Sequence, residues 1–279
     1  MHPVQRIRYF IVIALLFAIT ESVFSQKFTS KSRTELGFLI GGSHYFGDLN
    51  QEKQFRFTSP AAQFLMRYTL NSRLVLRTNI GIGKVYGDDS KSSNPLLVNR
   101  NLSFKSVIAE LSSGVEFHYL KFQLGHRKYS FTHYILAQAG VFYMNPKAKL
   151  DGAWYNLRDI GTEGQGTALS NQKRYSLIQL CIPLGLGLKF SPSDRVSIGL
   201  EYGIRMTFTD YLDDVKSSTY LLKSRMTEES SPIAADLSNR SLDQNDYGVR
   251  GNSKTRDWYA FFGLTMTIQI GKHNACVQP

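Results

Sequence analysis

Residues 195–210 read RVSIGLEYGIRMTFTD. From Val196 every second residue is apolar: Val196, Ile198, Leu200, Tyr202, Ile204, Met206 and Phe208. Between them stand Ser197, Gly199, Glu201, Gly203, Arg205, Thr207 and Thr209. Successive side chains of a strand point to opposite faces. The stretch is therefore a strand with one wholly apolar face and one face that mixes Glu and Arg with glycines. What each face meets decides the fold.

The alternation recurs along the chain. Eight candidate strands are 35–46, 59–70, 73–86, 104–120, 131–144, 176–190, 196–209 and 257–270. In 176–190, Ile178, Leu180, Ile182, Leu184, Leu186 and Leu188 oppose Gln179, Cys181, Pro183, Gly185, Gly187 and Lys189. In 104–120, Val107, Ala109, Leu111, Val115 and Phe117 oppose Ser106, Glu110, Ser112, Glu116 and His118. The segments 35–46 and 59–70 alternate less cleanly. Links after the second, fourth and sixth segments are short (71–72, 121–130, 191–195), and the others are long (47–58, 87–103, 145–175, 210–256). Strands of about ten residues joined alternately by short and long links are the signature of an outer-membrane barrel with short periplasmic turns and long outer loops. The predicted fold is all-β: an eight-stranded antiparallel transmembrane β-barrel with short periplasmic turns and long extracellular loops.

Lipid then lies against Val196 and its partners, while Glu110, Glu116, Glu201 and Arg205 face the interior. An Arg turned to lipid at the midplane costs about 2–4 kcal/mol. Inside a narrow barrel, Arg and Glu can pair across strands, and the glycines leave room for them. Eight strands enclose an interior just wide enough for side chains, so no open pore is expected. A soluble ligand-binding barrel would turn its apolar rows inward. Its polar rows would carry more charge than the Gly- and Thr-rich ones seen here. Tyr45, Phe46, Tyr68, Tyr86, Tyr119, Tyr143, Phe190 and Trp258, at segment ends, suit interfacial girdles.

Length and composition agree. The chain has 279 residues, 42% hydrophobic, with 15 Tyr and 18 Phe, which suits one β-rich domain. Residues 1–25 show a basic start, the short apolar run 9–19, and Val23-Phe24-Ser25 before Gln26. This is the layout of a secretory signal peptide, too short for a spanning helix. The expected organisation is a signal peptide (1–25), a periplasmic segment (26–34), the barrel (35–271) and a periplasmic tail (272–279). The formal charge of +11 is scattered rather than interleaved with aromatics, which argues against nucleic acid. Cys181 and Cys276 are expected to be free thiols.

Signals for chemistry are weak. The six histidines show no metal-ligand spacing. Ser43, His44 and Asp48 could make a rim triad, but residues 43 and 44 of one strand point apart. Asp210, Asp213 and Asp214 could bind calcium. The alternative is a solvated loop base paired with Lys254 and Arg256. GTEGQG at 161–166 lacks the Lys-Ser/Thr of a phosphate loop. No cofactor, metal or small-molecule substrate is expected.

ELGFLIGGSHYFGDLN (35–50), FTDYLDDVKSSTY (208–220) and DWYAFFGLTMTI (257–268) resemble segments of the PorG-like family of small outer-membrane barrels found in Bacteroidetes. The resemblance spans about residues 34–271, and its most specific pieces are Gly47-Asp48-Leu49-Asn50 and Tyr211-Leu212-Asp213-Asp214. It implies a non-catalytic component of a type IX secretion system that associates with a periplasmic ring. A periplasmic partner would meet a basic rim of Arg127, Lys128, Arg195 and Lys272, with Lys121, His126 and His273 beside it. The alternatives are an adhesin or receptor that binds through the 210–256 loop, and a rim enzyme acting on lipid.

Overall fold

The computed structural model describes residues 33–50 and 55–270. The predicted segments 1–25 and 272–279, with Lys272, His273 and Cys276, and residues 26–32 of the predicted segment 26–34 lie outside them; residues 33 and 34 open the first strand. Ten strands form: β1 (Arg33–Phe46), β2 (Ser59–Thr69), β3 (Leu74–Asp88), β4 (Ser103–His118), β5 (Phe131–Met144), β6 (Lys147–Leu150), β7 (Ala153–Asn156), β8 (Ile178–Phe190), β9 (Val196–Thr207) and β10 (Trp258–Ile270).

All strands but β6 and β7 close a barrel. Each pairs antiparallel with its neighbours along the chain, and β1 closes on β10 through pairs such as Phe38↔Met266. The eight barrel strands lie within two residues of the predicted segments. Closure leaves no unpaired sheet edge, the condition a sheet must meet in hydrocarbon. The ladder between β5 and β8 is interrupted between Ala137↔Leu184 and Gly140↔Cys181. Pro183 sits in that gap, and its ring nitrogen has no hydrogen to donate. At the tight β2–β3 turn, the Asn71 side chain accepts from the amides of Arg73 and Leu74, both at 2.8 Å. A short side-chain acceptor of this kind closes such turns.

The apolar rows face outward. Ile40, Ile80, Leu111, Leu186, Leu200 and Leu264 are each at least half exposed, and equivalent residues surround the barrel. Soluble monomers rarely expose continuous apolar surface on this scale. Among the described residues no helix is long and apolar enough to cross a membrane. Thr78 and Ser113, the polar pair within this surface, satisfy each other at 3.0 Å. Inward glycines sit beneath bulky side chains: a Cβ at Gly187 would overlap the Tyr134 ring, and one at Gly203 would lie 2.7 Å from the Arg205 guanidinium.

Two expectations need correction. Tyr45 is not part of an interfacial girdle; it faces inward and is fully buried, because its position shares the inward register of Glu35 and Ser43. The long links are not plain loops either. They hold the β6–β7 hairpin and four short helices, α1 (Pro95–Arg100), α2 (Leu157–Ile160), α3 (Lys223–Glu229) and α4 (Pro232–Ser238). Ser231 caps α4 by accepting from the Ala234 amide. Met226, Ala234 and Ala235 pack against Ile160, Leu169 and Leu221, so the third and fourth long links bury apolar surface in each other.

Candidate functional site

The lumen is filled with paired charges. Glu116 accepts from Arg67 at 2.9 Å, contacts Arg77 at 3.1 Å and meets His118 at 2.8 Å. Glu201 holds Arg77 at 2.6 Å and 2.9 Å and accepts from the Tyr134 hydroxyl at 2.6 Å. Toward the long-loop end, Arg205 donates to Glu110 at 3.0 Å, and the Tyr259 hydroxyl donates to it at 2.8 Å. Toward the short-turn end, Glu35 lies 3.2 Å from Lys189 and accepts from Thr267 at 2.6 Å. Four carboxylates thus face four cations, all buried. Burying a charge is tolerable only with this degree of pairing.

Glu110, Glu116, Glu201 and Arg205, singled out from the sequence, all lie in this network. Glu35, Arg67, Arg77 and Lys189 were not singled out. Alternation carried the signal: Arg77 shares a face with Asn79 and Gly81, and Lys189 shares one with Gly185 and Gly187. The less regular pattern of β1 and β2 obscured Glu35 and Arg67.

At the long-loop end the two family-motif segments meet. The Tyr45 hydroxyl lies 2.5 Å from Asp213 and 2.8 Å from Asp257. One hydroxyl proton cannot serve both carboxylates, so the trio holds best with a carboxyl proton. Burial accordingly pushes Asp257 up to about 8, and burial with the Asp257 charge raises Asp213 well above the carboxylate range. Gly47 lies against this trio, where a Cβ would overlap the Tyr45 hydroxyl and the Asp257 carboxylate. Asp48 accepts from the Asn252 amide at 2.7 Å, and its carbonyl accepts from Arg100 at 2.8 Å. Asn50 donates to the Tyr45 carbonyl at 2.6 Å, and Leu49 is buried.

Asp214 accepts from the Thr162 hydroxyl and, at 2.7 Å, from that of Tyr175; burial pushes its carboxyl up to about 7. Tyr211 stacks on Tyr175 at 4.5 Å, and burial pushes its phenol up to about 12. Arg250 ties Glu163 to the Asp214 carbonyl. Arg100 grips Asp89 at 2.7 Å and 2.8 Å and the Arg250 carbonyl at 2.6 Å. The motifs therefore build a buried cap over one end of the barrel. The solvated loop base expected at Asp213 and Asp214 is corrected: both are 1% exposed. The cation near Asp214 is Arg250, while Arg256 lies over the Phe208 ring. Asp210 is half-buried, which raises it to about 7. Gly161, Gly164 and Gly166 all have positive φ, so GTEGQG turns within the cap at its three glycines. Only glycine enters that backbone region without strain.

The short-turn end is closed by Phe122 and Leu124, both buried. Phe122 lies under the Lys189 ammonium at 4.7 Å. Its amide donates to the Ser72 carbonyl at 2.9 Å, and the Gly125 amide donates to Ser191 at 3.0 Å, which links the three turns. Lys121, Arg127, Lys128 and Arg195 are exposed there, and His126 is half-exposed.

The remaining candidates do not come together. Ser43 faces inward and donates to the Lys84 carbonyl at 2.6 Å. His44 faces outward, under Phe55 and Phe262, 3.1 Å from the Tyr202 hydroxyl. Asp48 belongs to the cap, so no triad forms. Among the described residues no three His, Cys, Asp or Glu are placed to hold a metal ion. Cys181 is a free, buried thiol.

A closed antiparallel barrel with a hydrocarbon-compatible exterior and an ion-paired lumen is a small outer-membrane β-barrel. The chain belongs to the family described as Domain of unknown function (DUF6089), which matches residues 10–225. No curated protein matches it. Among solved structures it is similar to the N-terminal barrel domain of Pseudomonas aeruginosa OprF, with 10% identity, 86% of this chain and 97% of that one covered, and TM-score 0.36. It is similar to the attachment invasion locus protein Ail of Yersinia pestis, solved with the heparin analogue sucrose octasulfate, at 10% identity, 86% and 97% coverage and TM-score 0.39. Neisserial surface protein A follows at 7% identity, 86% and 98% coverage and TM-score 0.38.

Proposed function

We propose that this protein is a non-catalytic, non-conducting component of the outer membrane that works through its ends, as part of a type IX secretion system. The observation that carries the non-conducting part is the lumen: four buried ion-paired carboxylates and four cations fill it, and each end is covered by buried side chains. Support for the secretion role is the resemblance of residues 35–50, 208–220 and 257–268 to the PorG-like barrels of Bacteroidetes. In this proposal residues 1–25 are a cleaved signal peptide, 26–34 and 272–279 lie in the periplasm, and the long loops lie outside the cell. Arg127, Lys128, Arg195 and Lys272 are then a periplasmic rim offered to an acidic surface of a secretion-ring protein. The test is crosslinked pull-down from detergent-solubilised outer membrane. Recovery of periplasmic ring proteins, lost in a variant with Arg127, Lys128 and Arg195 changed to Gln, is the expected result. Recovery unchanged by those substitutions overturns the rim, and consistent absence of ring proteins overturns the secretion role.

A second reading, an adhesin or receptor, is favoured by a different observation. Tyr247 and Val249 in the last long loop are 81% and 73% exposed, and Leu242 is 63% exposed. Ordered loops that present bare apolar side chains are suited to binding something outside the cell. Changing Tyr247 and Val249 to Ser leaves Arg250 and the cap in place. Loss of cell-surface attachment with secretion intact would establish this reading over the first.

A further inference from the structure

One charged patch takes no part in the lumen, the cap or the short-turn rim. The β6–β7 hairpin stands beside β4 through the pair Lys105↔Lys147. One of its faces carries Ala148, Leu150 and Tyr155, which pack into the main core. The other carries Lys147, Lys149 and Trp154, with Lys149 directly opposite Trp154. That face runs on to the outside of the barrel, where Lys84 of β3 and Lys105 of β4 interrupt the outward rows just above Ile82 and Val107. A cleft of about 490 Å³ opens between them, lined by Lys84, Lys105, Val107, Tyr143, Lys147 and Trp154. The Lys105 ammonium lies 3.0 Å from the centre of the Trp154 ring.

Like charges directly opposite on paired strands are destabilising. Among the described residues the lysines in ion pairs are Lys189 and Lys223, so Lys84, Lys105, Lys147 and Lys149 face one another without a carboxylate partner. Four cations gathered around an aromatic wall, at the edge of a surface that meets hydrocarbon, create a site of positive potential where lipid headgroups lie.

We infer that this cleft binds the phosphate-bearing headgroup of an anionic lipid in the leaflet at the long-loop end. The phosphate oxygens accept from Lys84, Lys105 and Lys147. Tyr143 and Trp154 sit at headgroup level, as aromatic side chains do at membrane interfaces. The acyl chains descend over Val107 and Ile82. Val107 in the cleft floor favours a lipid over a free anion, because the cleft opens onto the apolar row below it.

The chain has two tryptophans, so a Trp258→Phe variant leaves Trp154 as its only indole. The purified variant in dodecyl maltoside is titrated with dioleoyl phosphatidic acid, with dioleoyl phosphatidylcholine and with inorganic phosphate, and Trp154 emission is followed. Phosphatidic acid is expected to give a saturable change, and the other two no saturation over the same range. Changing Lys147 or Lys149 to Gln, both on the hairpin rather than in the barrel wall, should weaken binding about fivefold each. The triple variant Lys84→Gln, Lys105→Gln, Lys147→Gln should abolish saturation while keeping the heat-shifted gel mobility of a folded barrel; if it does not fold, the hairpin variants decide. An equal response to inorganic phosphate means a free-anion site and overturns the lipid assignment. An equal response to phosphatidylcholine, or hairpin variants that titrate like the parent, overturns the site.

Discussion

Glu116→Gln is the sharpest test of the ion-paired lumen. Glu116 touches Arg67, Arg77 and His118 within 3.1 Å and is fully buried. Gln has nearly the same shape but no charge: its oxygen can still accept from Arg67 and Arg77, and its amide N–H can turn to the His118 ring nitrogen, which accepts in one tautomer. Arg67 is then left with Glu201, at 3.9 Å, as its charged partner, while the lumen changes from four-against-four to a net positive charge. Removing one partner from a buried ion pair costs about 3–5 kcal/mol. With a urea slope of about 2 kcal/mol/M, the unfolding midpoint falls by roughly 1.5–2.5 M. The assay is urea unfolding in phospholipid vesicles, followed by tryptophan emission and by the heat-shifted gel band. Adding Arg67→Met restores charge balance, and the pair of changes should recover most of the loss, giving a coupling energy of about 2–3 kcal/mol. A Glu116→Gln loss under about 0.5 kcal/mol, the size of an ordinary surface change, would mean that water screens these groups and that the lumen is not a closed electrostatic core.

Three further outcomes follow from the same geometry. Leu264→Arg places a charge in the outward row opposite Ile40 and Leu200 and should cost about 2–4 kcal/mol in vesicle-refolding equilibria; a cost near zero would move that row out of hydrocarbon. Gly47→Ala drives a methyl into the Tyr45–Asp257 contact and should cost about 1–3 kcal/mol, seen as faster proteolysis of the 208–257 loop with the barrel band intact; unchanged proteolysis refutes the close fit. The cap should also loosen as pH rises. Asp210 and Asp214 are raised from 3.8 to about 7, and Asp257 to about 8, so the folded cap holds protons that the unfolded chain releases. Stability from these groups is full below about pH 4 and is lost between about pH 4 and 8. Hydrogen exchange at the Leu212, Val215 and Asn252 amides, corrected for intrinsic rates, should report easier opening at pH 8.5 than at 5.5; the opposite trend would refute protonation of the trio.

The barrel was legible because burial alternates with period two along most of the barrel strands, and a chain of such strand-length alternation leaves few folds open. The polar set of β9 revealed Glu201 and Arg205 for the same reason. Partners were less legible. Glu201 lies 124 residues from Arg77, and only register across several strands brings them together. The cap was least legible. Asp213 and Asp214 sit in a polar stretch that reads as solvated loop; Asp214 meets Thr162, Tyr175 and Arg250, each 36 to 52 residues away in sequence, and Asp213 meets Tyr45, 168 residues away. No local pattern encodes a contact between two long links. The β6–β7 hairpin was missed because four-residue strands are too short for alternation to stand out.

The balance of charge in the lumen has a consequence for where the rest of the charge must lie. Four carboxylates and four cations there cancel, so the formal +11 of the chain is carried elsewhere. Among the described residues, one exposed basic group (Lys121, Arg127, Lys128, Arg195) rings the short-turn end. A second (Lys84, Lys105, Lys147, Lys149) lies outside the barrel at the other end. Between them the strands of 11 to 16 residues are long enough to cross a bilayer at a tilt, for which about 9–11 suffice. Each cation drawn into hydrocarbon costs about 2–4 kcal/mol at the midplane, while each one left at a headgroup surface gains about 1 kcal/mol from anionic lipid. Sliding the barrel along the membrane normal in either direction therefore submerges one basic group and strips the other of its headgroups. The two groups act as opposed stops on the depth of the barrel, and they keep the short-turn rim and the loop cap in contact with water.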